Sequence, residues 1–341
     1  MEPKKHYYSI DLAKFSCAIL VIALHTNVVD QFSQQFSFII RNFIYNLLVP
    51  FFFICSGYFF YRGQYEKKDY YKKYIYKIFK IYFFWTSIYM PIIFLNYINN
   101  ERGAIINLFI FIRNFLFAGS VYHLWYLISL IYSIYIISLL IKKNRFKELL
   151  ILPLLCLIFI LWGQSSYGEN SIITKIYMLL FGGVNSGLAV GLLFTSIGVL
   201  INKYNLSNSK YLVFSFLIGA IYLLLIFLAY YSIYYSFHII YIFSIVVLGA
   251  IFNIILNWRR VPTINKIGNI NLTVYCLHPL VLIIIVNLES YVNIPMSNII
   301  NFVLVFILTF IIAVCVEKIK VRKQKEFNYK RRLYFMGERV K

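Results

Sequence analysis

Ten stretches of roughly 20 predominantly apolar residues divide this chain, separated by short segments that hold most of its charge. A hydrocarbon layer about 30 Å thick takes about 20 apolar residues per helix, with a range of roughly 17–25. On that ruler the stretches fall near 9–29, 40–61, 76–97, 122–141, 148–163, 177–201, 211–231, 237–256, 269–288 and 297–316. Lipid offers no water to backbone N–H and C=O groups, so segments of this length cross it as helices. The expected fold is therefore all-α, a polytopic integral membrane protein of about ten transmembrane helices. Residues 1–341 form one transmembrane domain, with its spans over about 9–316 and a basic tail at 317–341. The fifth stretch is short, and Pro153 kinks it. Segment 104–118 is apolar but brief and carries Arg113 and Asn114, which fits an interfacial or re-entrant element.

Composition removes other classes. Apolar residues make up 61% of the 341 and charged residues 13%, against about 25% charged in an average soluble domain. A water-soluble fold of this size has too little interior for so much apolar surface. A net charge of +21 would indicate nucleic acid only if the basic residues shared a face. Instead, 28 of the 33 Lys and Arg lie in 1–8, 61–80, 141–147, 202–210, 257–268 and 317–341, all on one side of a ten-span chain. The other side holds Arg41, Arg102, Arg113 and Lys175, and Lys14 alone lies within a span. The positive-inside rule then places both termini in the cytoplasm. An eleventh span at 104–118 would throw Lys142–Lys147 outside. The charge reports topology, so no nucleic-acid partner is expected, and the tail with Lys330, Arg331 and Arg332 rests against anionic lipid. The five cysteines (Cys17, Cys55, Cys156, Cys276, Cys315) sit in apolar runs without a CxxC pair, as packing residues do. No small-residue cleavage site follows the first stretch, which is read as a retained span.

Ionisable residues inside spans are expensive and need a reason. Lys14 and His25 are eleven residues apart, only about 20° from three full helical turns, with a rise of about 16 Å. They share one helix face, with a cation near the cytoplasmic end and a proton-accepting imidazole in the outer half. That stripe suits a long substrate arriving from the cytoplasm. The plainer alternatives are a snorkelling Lys14 beside Asp11 and a His25 bonded to a neighbouring helix. His278 lies in Val274-Tyr-Cys-Leu-His-Pro279, where the proline frees a carbonyl, and either lines a site or packs. His123 opens the fourth span beside Trp125, as a site residue or as part of an interfacial aromatic belt. His6 and His238 fall in terminus or loop positions. Ser56-Gly57 admits a ligand or a close helix. Gly183, Gly187 and Gly191, with Asn185 and Ser186 between them, read as a ridge for helix crossing. Lys73, Lys77 and Lys80 share a helical face at the cytoplasmic mouth, as an anion site or simply as positive-inside charge.

These residues carry a resemblance. Ser9-Ile-Asp-Leu-Ala-Lys-Phe15, Ala23-Leu-His-Thr-Asn27, Phe51-Phe-Phe-Ile-Cys-Ser-Gly-Tyr58, His123-Leu-Trp-Tyr-Leu127 and Val274-Tyr-Cys-Leu-His-Pro279 together resemble the acyltransferase 3 family over nearly the whole chain. The nearest flavour is the membrane domain of the serine racemases of vancomycin resistance, without the racemase domain that follows there. The resemblance implies a bacterial plasma-membrane O-acyltransferase. It would take an acyl group, often acetyl, from cytoplasmic acyl-CoA and deliver it to an envelope polysaccharide or lipid-linked sugar. No permanently bound cofactor or metal is implied. His25 would be the catalytic base or the acyl-accepting nucleophile. Lys14, with Lys73 and Lys77, would hold the CoA phosphates. Ser56, His123, Trp125, Asn185, Tyr275 and His278 would line the passage. The family more often has arginine where Lys14 stands, and lysine meets phosphate as a point charge rather than a fork. The glutamate that follows the His123 motif in many peptidoglycan-modifying members is missing.

Two other classes compete. A transporter or flippase would use the histidines as ligand or proton relay, although the spans hold no pair of carboxylates and no evident repeat. A non-catalytic sensor or assembly component of surface-polymer synthesis is the third. Acetyl-CoA binding separates the enzyme from both.

Overall fold

A computed structural model describes residues 6–66, 69–98, 102–206, 211, 213–219, 221, 237–258 and 267–337. Its elements are helical throughout. Helix α1 is Tyr8–His25, followed by a 3-10 turn at Val28–Gln31. Helix α2 (Gln34–Ile39) runs through a π-helical stretch (Ile40–Tyr45) into α3 (Asn46–Glu66). Then come α4 (Tyr70–Ile98), α5 (Ala104–Arg113), α6 (Trp125–Lys142), α7 (Phe146–Gly163), α8 (Ser166–Glu169), α9 (Ile172–Phe181) and α10 (Leu188–Lys203). A helical stretch at 213–219 precedes α11 (Phe237–Asn257), α12 (Ile267–Val292) and α13 (Asn298–Gly337).

Among the described residues six helices are long and apolar enough to cross a membrane, namely α1, α4, α6, α7 and the apolar parts of α12 and α13. Their outward faces carry large exposed apolar side chains, such as Phe83, Phe84, Phe94 and Leu95 on α4 and Leu154, Leu155 and Ile158 on α7. In water such a surface would aggregate; against lipid tails it is matched.

Three expectations are corrected. The first stretch ends as helix at His25, because Thr26 turns its hydroxyl back onto the carbonyls of Ile22 and Ala23 and Asn27 takes the left-handed conformation (φ 52). The sixth stretch is two helices, because Gly182 (φ 88) and Gly187 (φ 74) adopt conformations that break it into α9 and α10. His238 belongs to α11 rather than a loop. The basic tail continues α13 as helix to Gly337. Segment 104–118 forms the short α5 and a π-helical turn, Asn114–Ala118. Of the seventh stretch, 211–231, most lies outside the described residues, as do 1–5, 207–210, 259–266 and 338–341.

The tightest packing joins α3 to α10. A Cβ on Gly57 would stand 2.0 Å from the carbonyl oxygen of Thr195, and one on Gly198 would stand 2.1 Å from that of Ile54. Two backbones meet here with nothing between them, as small residues permit in membranes. Gly191 adds a third approach, where a Cβ would meet the Ser129 hydroxyl at 2.1 Å. Gly57→Val is therefore expected to lower stability by about 2–3 kcal/mol, in the range of overpacked cores. Gly249→Ala on α11, with open space around it, should stay within about 1 kcal/mol of wild type. Thermal unfolding in detergent reads both.

Candidate functional site

Three of the five histidines converge. The rings of His25 and His278 stack at 5.3 Å between centroids, and His123 lies 6.0 Å from His278. Tyr122 meets His25 edge-on at 5.1 Å, and Tyr89 meets His123 at 5.0 Å. His123 and His278 are buried, whereas His25 is half-buried at the wall of a cavity of about 280 Å³. Tyr45, Tyr122, His123, Trp125, Asn185 and Tyr275 also face this histidine cavity. Neither ring nitrogen of His123 has a hydrogen-bond partner among the described residues, and neither does Nε2 of His278 or the hydroxyl of Tyr45. Buried polar groups left unpaired cost about 1–3 kcal/mol each, and a polar molecule in this cavity would meet those of His123 and Tyr45.

Local chemistry holds the cluster. Pro279 has no N–H to continue the ladder of α12. One residue on, the Tyr89 hydroxyl inserts into that ladder, donating to the carbonyl of Cys276 (2.8 Å) and accepting from the N–H of Leu280 (3.0 Å). The inserted hydroxyl leaves neither group bare, and His278 stands one residue before the proline. The Tyr275 hydroxyl donates to the backbone carbonyl of His123 (2.8 Å), tying the turn before α6 to α12. The end of α1 is clamped as well. Arg41 donates to Asp30 (2.8 Å) and to the side-chain oxygen of Asn27 (3.0 Å), while Asn298 donates to the Asn27 carbonyl (3.0 Å).

A second cavity of about 280 Å³ lies further toward the lysine-rich end of the bundle. Lys14, Lys77, Ser56, Tyr74, Tyr126 and Asn271 line it. The Ser56 hydroxyl pairs with that of Tyr126 (3.0 Å). Lys14 reaches over the Phe59 ring at 5.4 Å, while Asp11 pairs with His6 at 3.3 Å rather than with Lys14. Tyr275 lines both cavities. Its ring stands 5.8 Å from Phe52 and 5.8 Å from Tyr126, so an aromatic partition separates the two spaces. Along α1, Lys14 opens on one side of it and His25 on the other, about 16 Å apart by helical rise.

The residues singled out in the sequence distribute as follows. Lys14, Lys77 and Ser56 face the lysine cavity; His25, His123, Trp125 and Asn185 face the histidine cavity; Tyr275 faces both. Lys73 is exposed and faces neither, standing one helical turn before Lys77, nearer the start of α4. His278 stands behind His25 rather than lining the cavity. His123 lies in the turn before α6 instead of opening a helix. Asn185 sits in the break between α9 and α10, bonded to Gln164. Tyr45, Tyr74, Tyr89 and Tyr122 were not legible; among 31 tyrosines nothing in the spacing distinguishes them, although Tyr122 adjoins His123.

Tyr89→Phe would strip the partner from both the Cys276 carbonyl and the Leu280 amide. It is expected to lower stability by about 1–3 kcal/mol, read by thermal unfolding. A variant as stable as wild type would contradict the inserted hydroxyl.

Comparison with known proteins gives the chain a family. The acyltransferase-domain profile of the acyltransferase 3 family matches residues 7–318. An amino-acid racemase of Enterococcus faecalis is 28% identical over 336 residues, 93% of this chain and 47% of the relative. A serine/alanine racemase of Enterococcus gallinarum is 28% identical over 315 residues, 88% of this chain and 44% of the relative. The chain thus spans about half the length of these relatives. No solved structure matches it. With the family profile covering all but the two ends, the chain belongs to the acyltransferase 3 family, as an all-helical protein with several helices fit to cross a membrane.

Proposed function

We propose that this protein is a transmembrane O-acyltransferase of the bacterial plasma membrane, moving an acyl group, acetyl in the first instance, from cytoplasmic acyl-CoA to a hydroxyl of an envelope carbohydrate. The observation that carries this reading is the pair of cavities meeting at Tyr275, one cationic at Lys14 and Lys77, the other holding His25. A CoA phosphate binds the ammonium groups at the lysine-rich mouth, and the pantetheine arm carries the thioester along α1. Its reach is comparable to the helical rise from Lys14 to His25.

At the far end, His25 takes the proton of the acceptor hydroxyl while the oxygen attacks the thioester carbonyl. The C–O bond forms, the C–S bond breaks, and the proton on His25 passes to the departing CoA thiolate. The alternative order, with the acyl group resting on the imidazole nitrogen before transfer, uses the same residues. His278, stacked on His25, orients its ring, while His123 and Tyr122 offer polar edges to acceptor and carbonyl. Asn185 and Trp125 stand where a sugar would dock.

The names of the relatives favour a second reading, in which the membrane half handles an amino acid and carries it across the bilayer. The two readings separate in one experiment. Membranes containing wild type or His25→Ala are incubated with radiolabelled acetyl-CoA, and envelope polymers are extracted. Label is expected in a polymer with wild type and to fall about 10²–10⁴-fold with His25→Ala. Absence of label with acetyl-CoA and with a panel of other acyl-CoAs, while wild type catalyses uptake of serine or alanine, would replace the acyltransferase by the transporter.

A further inference from the structure

A third and larger space, about 830 Å³, opens on the outside of the bundle between α4, α12 and α13. Its body is apolar, walled by Phe84, Trp85, Leu277, Leu280 and Ile312. Its lysine-rich end carries three ammonium groups, Lys77 and Lys80 from α4 and Lys320 from α13, against one carboxylate, Glu317. Among the described residues none of the three lysines is in an ion pair; Lys80 lies over the Tyr76 ring at 4.4 Å. Ordinary positive-inside lysines do not require an apolar trough running away from them toward the middle of the span. Here the two are combined, and the charge balance at the mouth is net positive.

We infer that this groove is a binding site for an anionic phospholipid of the cytoplasmic leaflet, its phosphate held by Lys80 and Lys320 with Lys77 beside them, and an acyl chain lying between α4 and α12–α13. A zwitterionic lipid would fill the trough equally well but would gain nothing at its mouth, so the lysines select for net negative charge. The groove and the lysine cavity share Lys77, Ile81, Gly268 and Leu272. An anionic lipid seated here therefore forms part of the outer wall of the lysine cavity. The inference does not rest on the acyl-transfer reading, because lipid retention is measured without acyl-CoA.

The test uses purified full-length protein in detergent, supplied with phosphatidylglycerol or phosphatidylcholine and examined by native mass spectrometry. Wild type is expected to retain phosphatidylglycerol in preference to phosphatidylcholine. K80Q/K320Q, which leaves Lys77 in place, is expected to lose about fivefold in that preference for each lysine removed. K143Q/K147Q, which removes two exposed basic residues, one just after α6 and one in the first turn of α7, should retain the lipid as wild type does. Trp85 places the lipid: a phosphatidylglycerol brominated on its acyl chains should quench wild-type tryptophan fluorescence more than the brominated phosphatidylcholine, and K80Q/K320Q should abolish the difference. Equal retention of both lipids by wild type would overturn the inference, as would equal losses in the two double variants. Should K80Q/K320Q fail to fold, quenching of wild type decides alone, and equal quenching by the two lipids counts against the site.

Discussion

A polar side chain inside a bilayer finds no water, and this one constraint organises the structure. Most polar groups of the bundle answer it by pairing: Ser56 with Tyr126, Thr86 with Ser120, and Tyr89 within the α12 ladder. Both ring nitrogens of His123 and Nε2 of His278 stay without a partner among the described residues, while Nδ1 of His278 meets the Val274 carbonyl at 3.3 Å. Other unpaired groups, such as the hydroxyls of Ser133 and Thr309, lie elsewhere in the bundle, but His123 and Tyr45 line the cavity that also presents His25. Ionisable groups inside membrane helices are where function is looked for first.

The partition at Tyr275 gives the bundle its division of labour. One ring closes the floor of the histidine cavity and the roof of the lysine cavity, and its hydroxyl is held by the His123 carbonyl. Phe52 and Tyr126 back it on either side. Under the proposed function, a charged donor such as CoA would be held in the cationic vestibule while only a thin arm passes the aromatic layer. The proposed chemistry asks for that separation, since it keeps the donor and a hydrophilic acceptor on opposite sides of a sealed membrane.

Much of this was legible in the sequence. The spacing of Lys14 and His25 on one helix needed only helical geometry, and the two residues line two neighbouring cavities. The proline after His278 announced a disturbed backbone ladder, and the Tyr89 hydroxyl bridges that ladder between Cys276 and Leu280. What could not be read came from two sources. Glycines at spacing four look alike whether they pack or break a helix; Gly187 breaks one through its positive φ, while Gly191 packs against Ser129. Tyrosines carry no periodic signature in so aromatic a chain, and so Tyr89, which repairs the α12 ladder, and Tyr74, which lines the lysine cavity, emerge only from three-dimensional contacts.

Sidedness tests the central claim most directly. The protein is reconstituted in one orientation into sealed vesicles, and radiolabelled acetyl-CoA is supplied to a single face with a carbohydrate acceptor confined to the other. The account predicts acylated acceptor only when the donor faces the lysine cavity and the acceptor faces the histidine cavity, with no CoA crossing the membrane. Equal transfer from either face, or transfer only when donor and acceptor share one side, would contradict it.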